Sequence, residues 1–197
     1  IAKLVVRGAD RAAALARLRQ ALGQTEIAGV FTNVEFLQRV AASSAFTQAE
    51  LDTGLIERNR AELLAPPETA SSAALAVAAF AELAAEHDAA SRHARGSQDP
   101  YSPWHAVDGW RLNEESHHDF AFVDGGTEHR VRLRFLATGL RIALLEAEHA
   151  LEGERLADGR FLVRLDGRTL KARAVREGAD WHVFCAGRYR RLTLKEE

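Results

Sequence analysis

His129-Arg130-Val131-Arg132-Leu133-Arg134-Phe135-Leu136 is the stretch that decides the fold. Successive side chains of a strand point to opposite faces, so Val131, Leu133 and Phe135 line one side while Arg130, Arg132 and Arg134 line the other. Such alternation belongs to an antiparallel strand with one face in a core and one in water. Phe161, Val163 and Leu165 repeat the device against Arg160 and Arg164. The pairs Asp124-Gly125, Asp158-Gly159, Asp166-Gly167, Glu177-Gly178 and Ala186-Gly187 punctuate the stretch at hairpin intervals. Strand patterns fall near 107–112, 117–123, 128–136, 140–145, 148–156, 160–165, 169–175, 181–185 and 188–194. With one pair merged they make about eight strands, which suits a sheet that closes or nearly closes.

Upstream of residue 99 the period changes from two to that of a helix, so two kinds of structure meet there. The segment 68–93 is alanine-rich, and Leu75, Val77, Phe80 and Leu83 are nearly its only large apolar residues. Alanine favours the helix and keeps it slim, so neighbouring backbone can approach from several sides. An exposed alanine helix held by propensity alone is the competing reading, although helices mostly need a packed face. Pro66-Pro67 stops any helix ahead of it and marks a domain boundary. Before it, Asp10 is a natural N-cap for a helix with Leu15, Leu18 and Leu22 on one face, ended by Gly23. Asn33 is placed to cap a second helix whose inward face is Phe36, Leu37 and Val40. Thr47-Gln48-Ala49-Glu50 has capping-box spacing for a third. Residues 1–6 read as a strand-like run broken by Gly8, and 25–30 as a connection or short strand.

The chain has 197 residues, 26 Lys and Arg against 28 Asp and Glu, and 47% hydrophobic content, an ordinary globular balance. Basic and acidic residues stand at 10 and 11 up to residue 98 and at 16 and 17 beyond it. Neither half carries the basic excess of a nucleic-acid footprint, and no apolar run reaches the ~20 residues of a membrane-spanning helix. Cys185 is the one cysteine, which excludes an internal disulfide and points to a reducing, cytoplasmic setting.

No residue set converges on chemistry. His117 and His118 are neighbours on a strand and point apart, and none of the eight histidines has metal-site spacing. Cys185 reads as a buried thiol without a base beside it. Glu114-Glu115 and Glu152 with Glu154 read as solvated acids at strand ends, and Gly125-Gly126 as a hairpin between strands instead of a phosphate cradle. The arginine rows at 130, 132, 134 and at 188, 190, 191 are interspersed with acids that cancel their field. Lys171 lies inside an alternating segment, and a chain without methionine lacks a lysine flanked by methionines. The expected catalytic and metal-ligating sets are therefore empty.

Two resemblances give these patterns a context. IAKL at 1–4, EIAGVFTN at 26–33 and DTGLIER at 52–58 closely resemble the end of the biotin carboxylase domain of biotin-dependent acyl-CoA carboxylases. Residues 67–197 look like the interaction (BT) domain of the alpha subunits of 3-methylcrotonyl-CoA and propionyl-CoA carboxylases. The likeness rests on an alanine-rich helix, then Asp99-Pro100-Tyr101-Ser102-Pro103-Trp104-His105, then Asp108-Gly109-Trp110-Arg111-Leu112-Asn113 and strands. The resemblance implies an α+β chain: residues 1–65 as a helical and strand-bearing tail of a biotin carboxylase domain, and 66–197 as the interaction domain. In the latter, an antiparallel β-barrel (107–197) wraps around a central helix (68–93), with a hook loop at 96–106.

It also implies a fragment of a longer, cytoplasmic bacterial ligase subunit with a role in leucine catabolism. The parent uses biotin, ATP and Mg, while this piece holds no cofactor and is inactive alone. Its expected partners are the carboxyltransferase beta subunit, the rest of the biotin carboxylase domain and the biotin carrier domain, with no nucleic acid and no membrane. Leu55 is the nearest counterpart of a family position that touches adenine, and Tyr101, Ser102, Pro103, Trp104 and His105 are the expected contacts to the beta subunit. The residues support docking on their own account, since rigid aromatic rings in a proline-stiffened segment bury much area at little entropic loss. The competing reading makes Trp104 a plug for the barrel end. Methylcrotonyl specificity is favoured by SPWH followed by DGWRLN, with propionyl-CoA or geranyl-CoA carboxylase, or a free-standing ligand-binding barrel, as alternatives.

Overall fold

The computed structural model describes residues 2–97 and 116–195. The chain divides into two compact units, the first spanning Ile1–Glu68 with Gly187–Tyr189 and the second Thr69–Ala186 with Arg190–Glu197.

The first unit is helical. Asp10 caps α1 (Arg11–Gly23) by accepting the amide of Ala13, and Leu15 and Leu22 are its buried residues. α2 (Val34–Ala42) starts after Asn33, whose side chain makes no capping bond. α3 (Ser44–Thr47), α4 (Leu55–Arg58) and α5 (Arg60–Leu63) are single turns. Ala45, Leu55 and Leu63 form the small core, with Phe36 and Val40 against it.

Besides the cap expected of Asn33, three expectations are corrected in this unit. Residues 2–8 adopt no regular structure, and Leu4 and Val5 are exposed. A strand needs a ladder partner, and the described residues supply none there. Thr47 ends a helix instead of starting one. Ser43 Oγ accepts the Phe46 amide and opens α3. The turn closes in a Schellman arrangement, with Ala49 left-handed at φ 64° and Glu50 N–H donating to Ala45 O at 2.9 Å. Leu37 lies outward and exposed, leaving Phe36 and Val40 as the inward pair.

The second unit is a closed antiparallel barrel in sequence order. Its strands are β1 (His117–Asp124), β2 (Thr127–Leu136), β3 (Gly139–Leu144), β4 (Ala147–Arg155), β5 (Phe161–Leu165), β6 (Arg168–Glu177), β7 (Asp180–Cys185) and β8 (Arg188–Leu194). The expected strand at 107–112 lies outside the described residues. Register runs around the wall through Phe120 opposite Val131, Leu133 opposite Ile142, Val163 opposite Leu170 and Ala172 opposite Cys185. Phe122 opposite Leu194 closes the ring.

The long helix α6 (Ser72–Gly96) opens at Ser71, whose Oγ accepts the Ala74 amide. It therefore begins and ends a few residues later than the 68–93 read from composition. Residues 74 to 79 are buried in an unbroken run, with Leu75, Ala76, Val77, Ala78 and Ala79 at 0% exposure. A helix packed on one side buries every third or fourth residue, so a run of six means walls on all sides. The walls are the inward rows of the barrel, with which α6 forms one apolar cluster. An eight-stranded barrel has an interior that side chains alone ordinarily fill, and alanine on most faces is what lets a helix occupy it. The fit is tight where α6 meets β4: a Cβ added to Gly153 would lie 2.6 Å from Phe80 Cζ. Phe80 in turn packs edge-on to Phe161, with ring centroids 6.2 Å apart.

Candidate interaction site

Within the barrel the apolar packing gives way to a polar cluster one turn after Ala78. Glu82, 3% exposed, accepts hydrogen bonds from Trp181 Nε1 at 2.6 Å and Arg176 Nη1 at 2.8 Å. The Arg176 guanidinium also lies over the Trp181 ring, 5.9 Å from its centroid. A carboxylate this deep is tolerated only because both oxygens are satisfied and a cation stands beside it. Glu82 ties the helix to β6 and β7 and fixes its depth in the barrel. One turn on, Glu86 Oε2 faces His118 Nδ1 of β1 at 3.3 Å, an ion-pair distance without hydrogen-bond alignment. Burial, and then the neighbouring Glu82 charge, push the Glu86 carboxyl above its ordinary range, with Arg176 opposing. Asp88 takes Arg155 of β4 at 2.9 Å, so three acids along one stretch of α6 meet four strands of the wall.

The outer face is a lattice of ion pairs. Arg130 meets Glu128, Arg132 meets Asp119, and Arg134 meets Glu148 at 2.7 Å. These arginines are held by acids, as the interspersed charges imply, and pairs this exposed add little to stability because solvent screens them. His117 and His118 diverge as strand geometry requires: His117 approaches Asp119, while His118 turns to Glu86. Glu152 pairs with Arg164 on the exposed face of β4 and β5. Glu114 and Glu115 lie outside the described residues. Gly125 and Gly126 form the β1–β2 turn, both at positive φ, which two-residue hairpins of this hand require. Lys171 is an exposed residue within β6. Cys185 is buried, and burial pushes its thiol above its ordinary value, the opposite of what a nucleophile needs. Among the described residues, no three His, Cys, Asp or Glu side chains converge on a point a metal could occupy.

Leu55, the expected adenine contact, is 7% exposed at the start of α4 and packs in the core of the first unit with Ala45 and Leu63. Tyr101, Ser102, Pro103, Trp104 and His105 lie outside the described residues. The cluster around Glu82 was not anticipated from sequence. Its signal was Glu82 and Glu86 one turn apart on the continuation of the Leu75 and Ala79 face, in a segment otherwise made of alanine.

A closed barrel with its own helix packed inside, and ion pairs such as Arg130–Glu128, Arg132–Asp119 and Arg134–Glu148 along its outer face, defines a class: a helix-cored β-barrel. The chain belongs to the family described as methylcrotonyl-CoA carboxylase, alpha-subunit, BT domain, which it matches over residues 71–197. Residues 1–58 match the biotin carboxylase C-terminal domain. The chain is 35% identical over 139 residues to the methylcrotonoyl-CoA carboxylase subunit alpha, mitochondrial, of Dictyostelium discoideum, which covers 71% of this chain and 19% of that protein. It is 36% identical over 113 residues to the rat protein of the same name, 57% of this chain and 16% of the relative. To the rice protein of that name it is 52% identical over 64 residues, 32% of this chain and 9% of the relative. The chain thus spans at most about a fifth of the length of these relatives, all of them biotin-dependent carboxylases by family.

Proposed function

We propose that the chain is a non-catalytic piece of the alpha subunit of an ATP- and biotin-dependent methylcrotonoyl-CoA carboxylase. Its second unit seats the carboxyltransferase beta subunit, and its first completes a biotin carboxylase domain whose nucleotide- and metal-binding residues lie on other parts of the parent chain. The observation that carries this reading is the helix-filled lumen. With Leu75 through Ala79 sealed inside, that stretch of the lumen has no room for a ligand, which argues against the lipocalin-like alternative and favours the exterior and the 96–106 segment for work. The family match favours methylcrotonoyl-CoA over propionyl-CoA or geranyl-CoA as the parent's substrate. The first unit supports the fragment reading through its exposed apolar side chains: Phe31 is 98% exposed, and Val5, Val30 and Leu51 are exposed as well. Apolar surface in that quantity on so small a unit belongs against more protein.

Docking is assigned to Tyr101 and Trp104, as amphipathic anchors in a segment stiffened by Pro100 and Pro103. The test is size-exclusion chromatography of the chain with the carboxyltransferase beta subunit of the same organism, beside a thermal melt of the chain alone. Tyr101→Ala with Trp104→Ala should weaken assembly by about 2–4 kcal/mol and leave the melting temperature nearly unchanged. Intact assembly with a lowered melting temperature would make these residues a plug of the barrel and refute the hook.

A further inference from the structure

Aspartate followed by glycine occurs at Asp124-Gly125, Asp158-Gly159 and Asp166-Gly167, each at a turn of the barrel, and at Asp108-Gly109, which lies outside the described residues. A glycine puts no side chain between its own amide nitrogen and the preceding carboxyl, so such a pair can close on itself. Side-chain ties separate the three barrel turns. Asp158 Oδ1 accepts the Arg160 amide at 3.0 Å, and its Oδ2 accepts Arg160 Nε at 2.7 Å. Asp166 Oδ1 accepts the Ala150 amide at 2.8 Å, and its Oδ2 meets His149 Nδ1 at 2.6 Å. Both oxygens of each carboxyl are thus engaged. The Arg160 side chain lowers the Asp158 carboxyl to about 2, and the His149 contact holds that of Asp166 below its ordinary value. Both therefore stay charged, and a charged carboxylate is a poor electrophile. Among the described residues, no side chain or amide holds the Asp124 carboxyl. The two glycines after it face open space, with nothing within 4 Å of where a Cβ would stand.

We propose that Asp124 is a site of spontaneous covalent modification, where aspartate converts to isoaspartate while the fold protects Asp158 and Asp166. The Gly125 nitrogen attacks Asp124 Cγ. A C–N bond forms, the bond from Cγ to its hydroxyl breaks, and the hydroxyl leaves with the amide proton as water, giving a five-membered cyclic imide. Water then adds back to one of the two imide carbonyls. Addition at the original main-chain carbonyl breaks its bond to the Gly125 nitrogen and leaves the chain running through Cγ, with a free carboxylate on Cα. Water lost in the first step returns in the second, so the mass is unchanged and no other reactant takes part. At Asp158 and Asp166 the same attack must first break hydrogen bonds made by a charged carboxylate, each of which slows it by about tenfold. The new link brings an extra methylene into the end of β1, where Asp124 stands opposite Thr127. The two residues before it, Phe122 and Val123, pair with Leu194 and Thr193 to close the ring. A strand end of altered length cannot keep that register, so conversion loosens the closure of the barrel.

The test holds the 197-residue chain folded in mildly acidic buffer for weeks, beside a sample unfolded in urea. Digests are separated by liquid chromatography with mass detection, in which an isoaspartyl peptide elutes apart from its parent at equal mass. In the folded sample, conversion at Asp124 should be about tenfold or more faster than at Asp158 or Asp166. Exposure alone ranks them the other way, since Asp158 and Asp166 are exposed and Asp124 is half-buried. In urea the three rates should converge, because each site is then the same dipeptide in an open chain. Folded-state conversion at Asp158 or Asp166 as fast as at Asp124 would overturn the proposal. So would an unchanged ranking in urea, which would place the selection in neighbouring sequence, or an unconverted Asp124 in the folded sample while the urea sample converts. Asp124→Glu has a side chain too long for the five-membered ring, and the parent should lose more melting temperature than this variant over the same incubation. Equal losses would refute the loosened closure.

Discussion

Glu82 shows how one buried charge can set the position of a whole helix. Its two oxygens serve Trp181 and Arg176, from adjacent strands, and no apolar residue could hold both partners. Glu82→Ala should cost about 2–3 kcal/mol in urea unfolding, because it strands a buried indole N–H and removes the partner of Arg176. Glu82→Gln keeps an acceptor for the indole and should lose about half as much; equal losses in the two variants would mean that charge alone matters. Glu86 behaves oppositely. Its carboxyl is raised above the ordinary value of 4.5 by burial and by Glu82. A carboxyl raised in the fold binds its proton more tightly there than in the unfolded chain, so its contribution is fully present below the unfolded value and is lost as pH rises through the folded one. Glu86→Gln should therefore be near neutral below about pH 4.5 and more stable than the parent at pH 8. A variant less stable than the parent at pH 8 would show that the contact with His118 outweighs the burial.

At the scale of elements, the strands were legible because each carries its own period of two, and the hairpins because glycine announces most of them. The β3–β4 turn was not announced. Leu145 and Glu146 hold φ of 46° and 70° there without a glycine or asparagine, so the register of the flanking strands imposes the turn on residues that do not favour it. The short turns α4 and α5 were missed because four residues are too few to show a period. Leu37 was misplaced since the apolar pattern marks a stripe without saying which edge of it meets a core. In α6 the alanines foretold a crowded setting, but an acid in each turn does not by itself distinguish a buried anchor from a solvated residue. The contact of Phe80 with Gly153 was beyond sequence altogether, as it depends on the depth to which the helix enters. Gly153→Ala should cost about 1–3 kcal/mol by forcing the Phe80 ring aside. Combining it with Phe80→Leu should recover part of that loss, as measured in a double-mutant cycle of chemical unfolding. Strict additivity of the two would mean that they do not touch.

At the scale of the molecule, the two units differ in how complete they are. The second closes its sheet around α6, with Leu75 through Ala79 sealed within it and ion pairs along its outer face. The first leaves Phe31, Val30 and Val5 uncovered around a core of a few side chains, as expected of the end of a larger domain. The likeness to the carboxylase family was carried by short motifs within residues 1–58 and 99–113, and it implied the helix inside the barrel; the alternating strands by themselves pointed to a sheet that closes or nearly closes, and the alanines to a slim helix in a crowded place. Hydrogen–deuterium exchange of the chain, alone and with the carboxyltransferase beta subunit, tests both parts at once. The amides of residues 74–79 should exchange only through global unfolding in either sample, and the protection gained with the partner should concentrate in residues 96–106. Rapid exchange at 74–79 without the partner, or no gain of protection at 96–106 with it, would contradict the account.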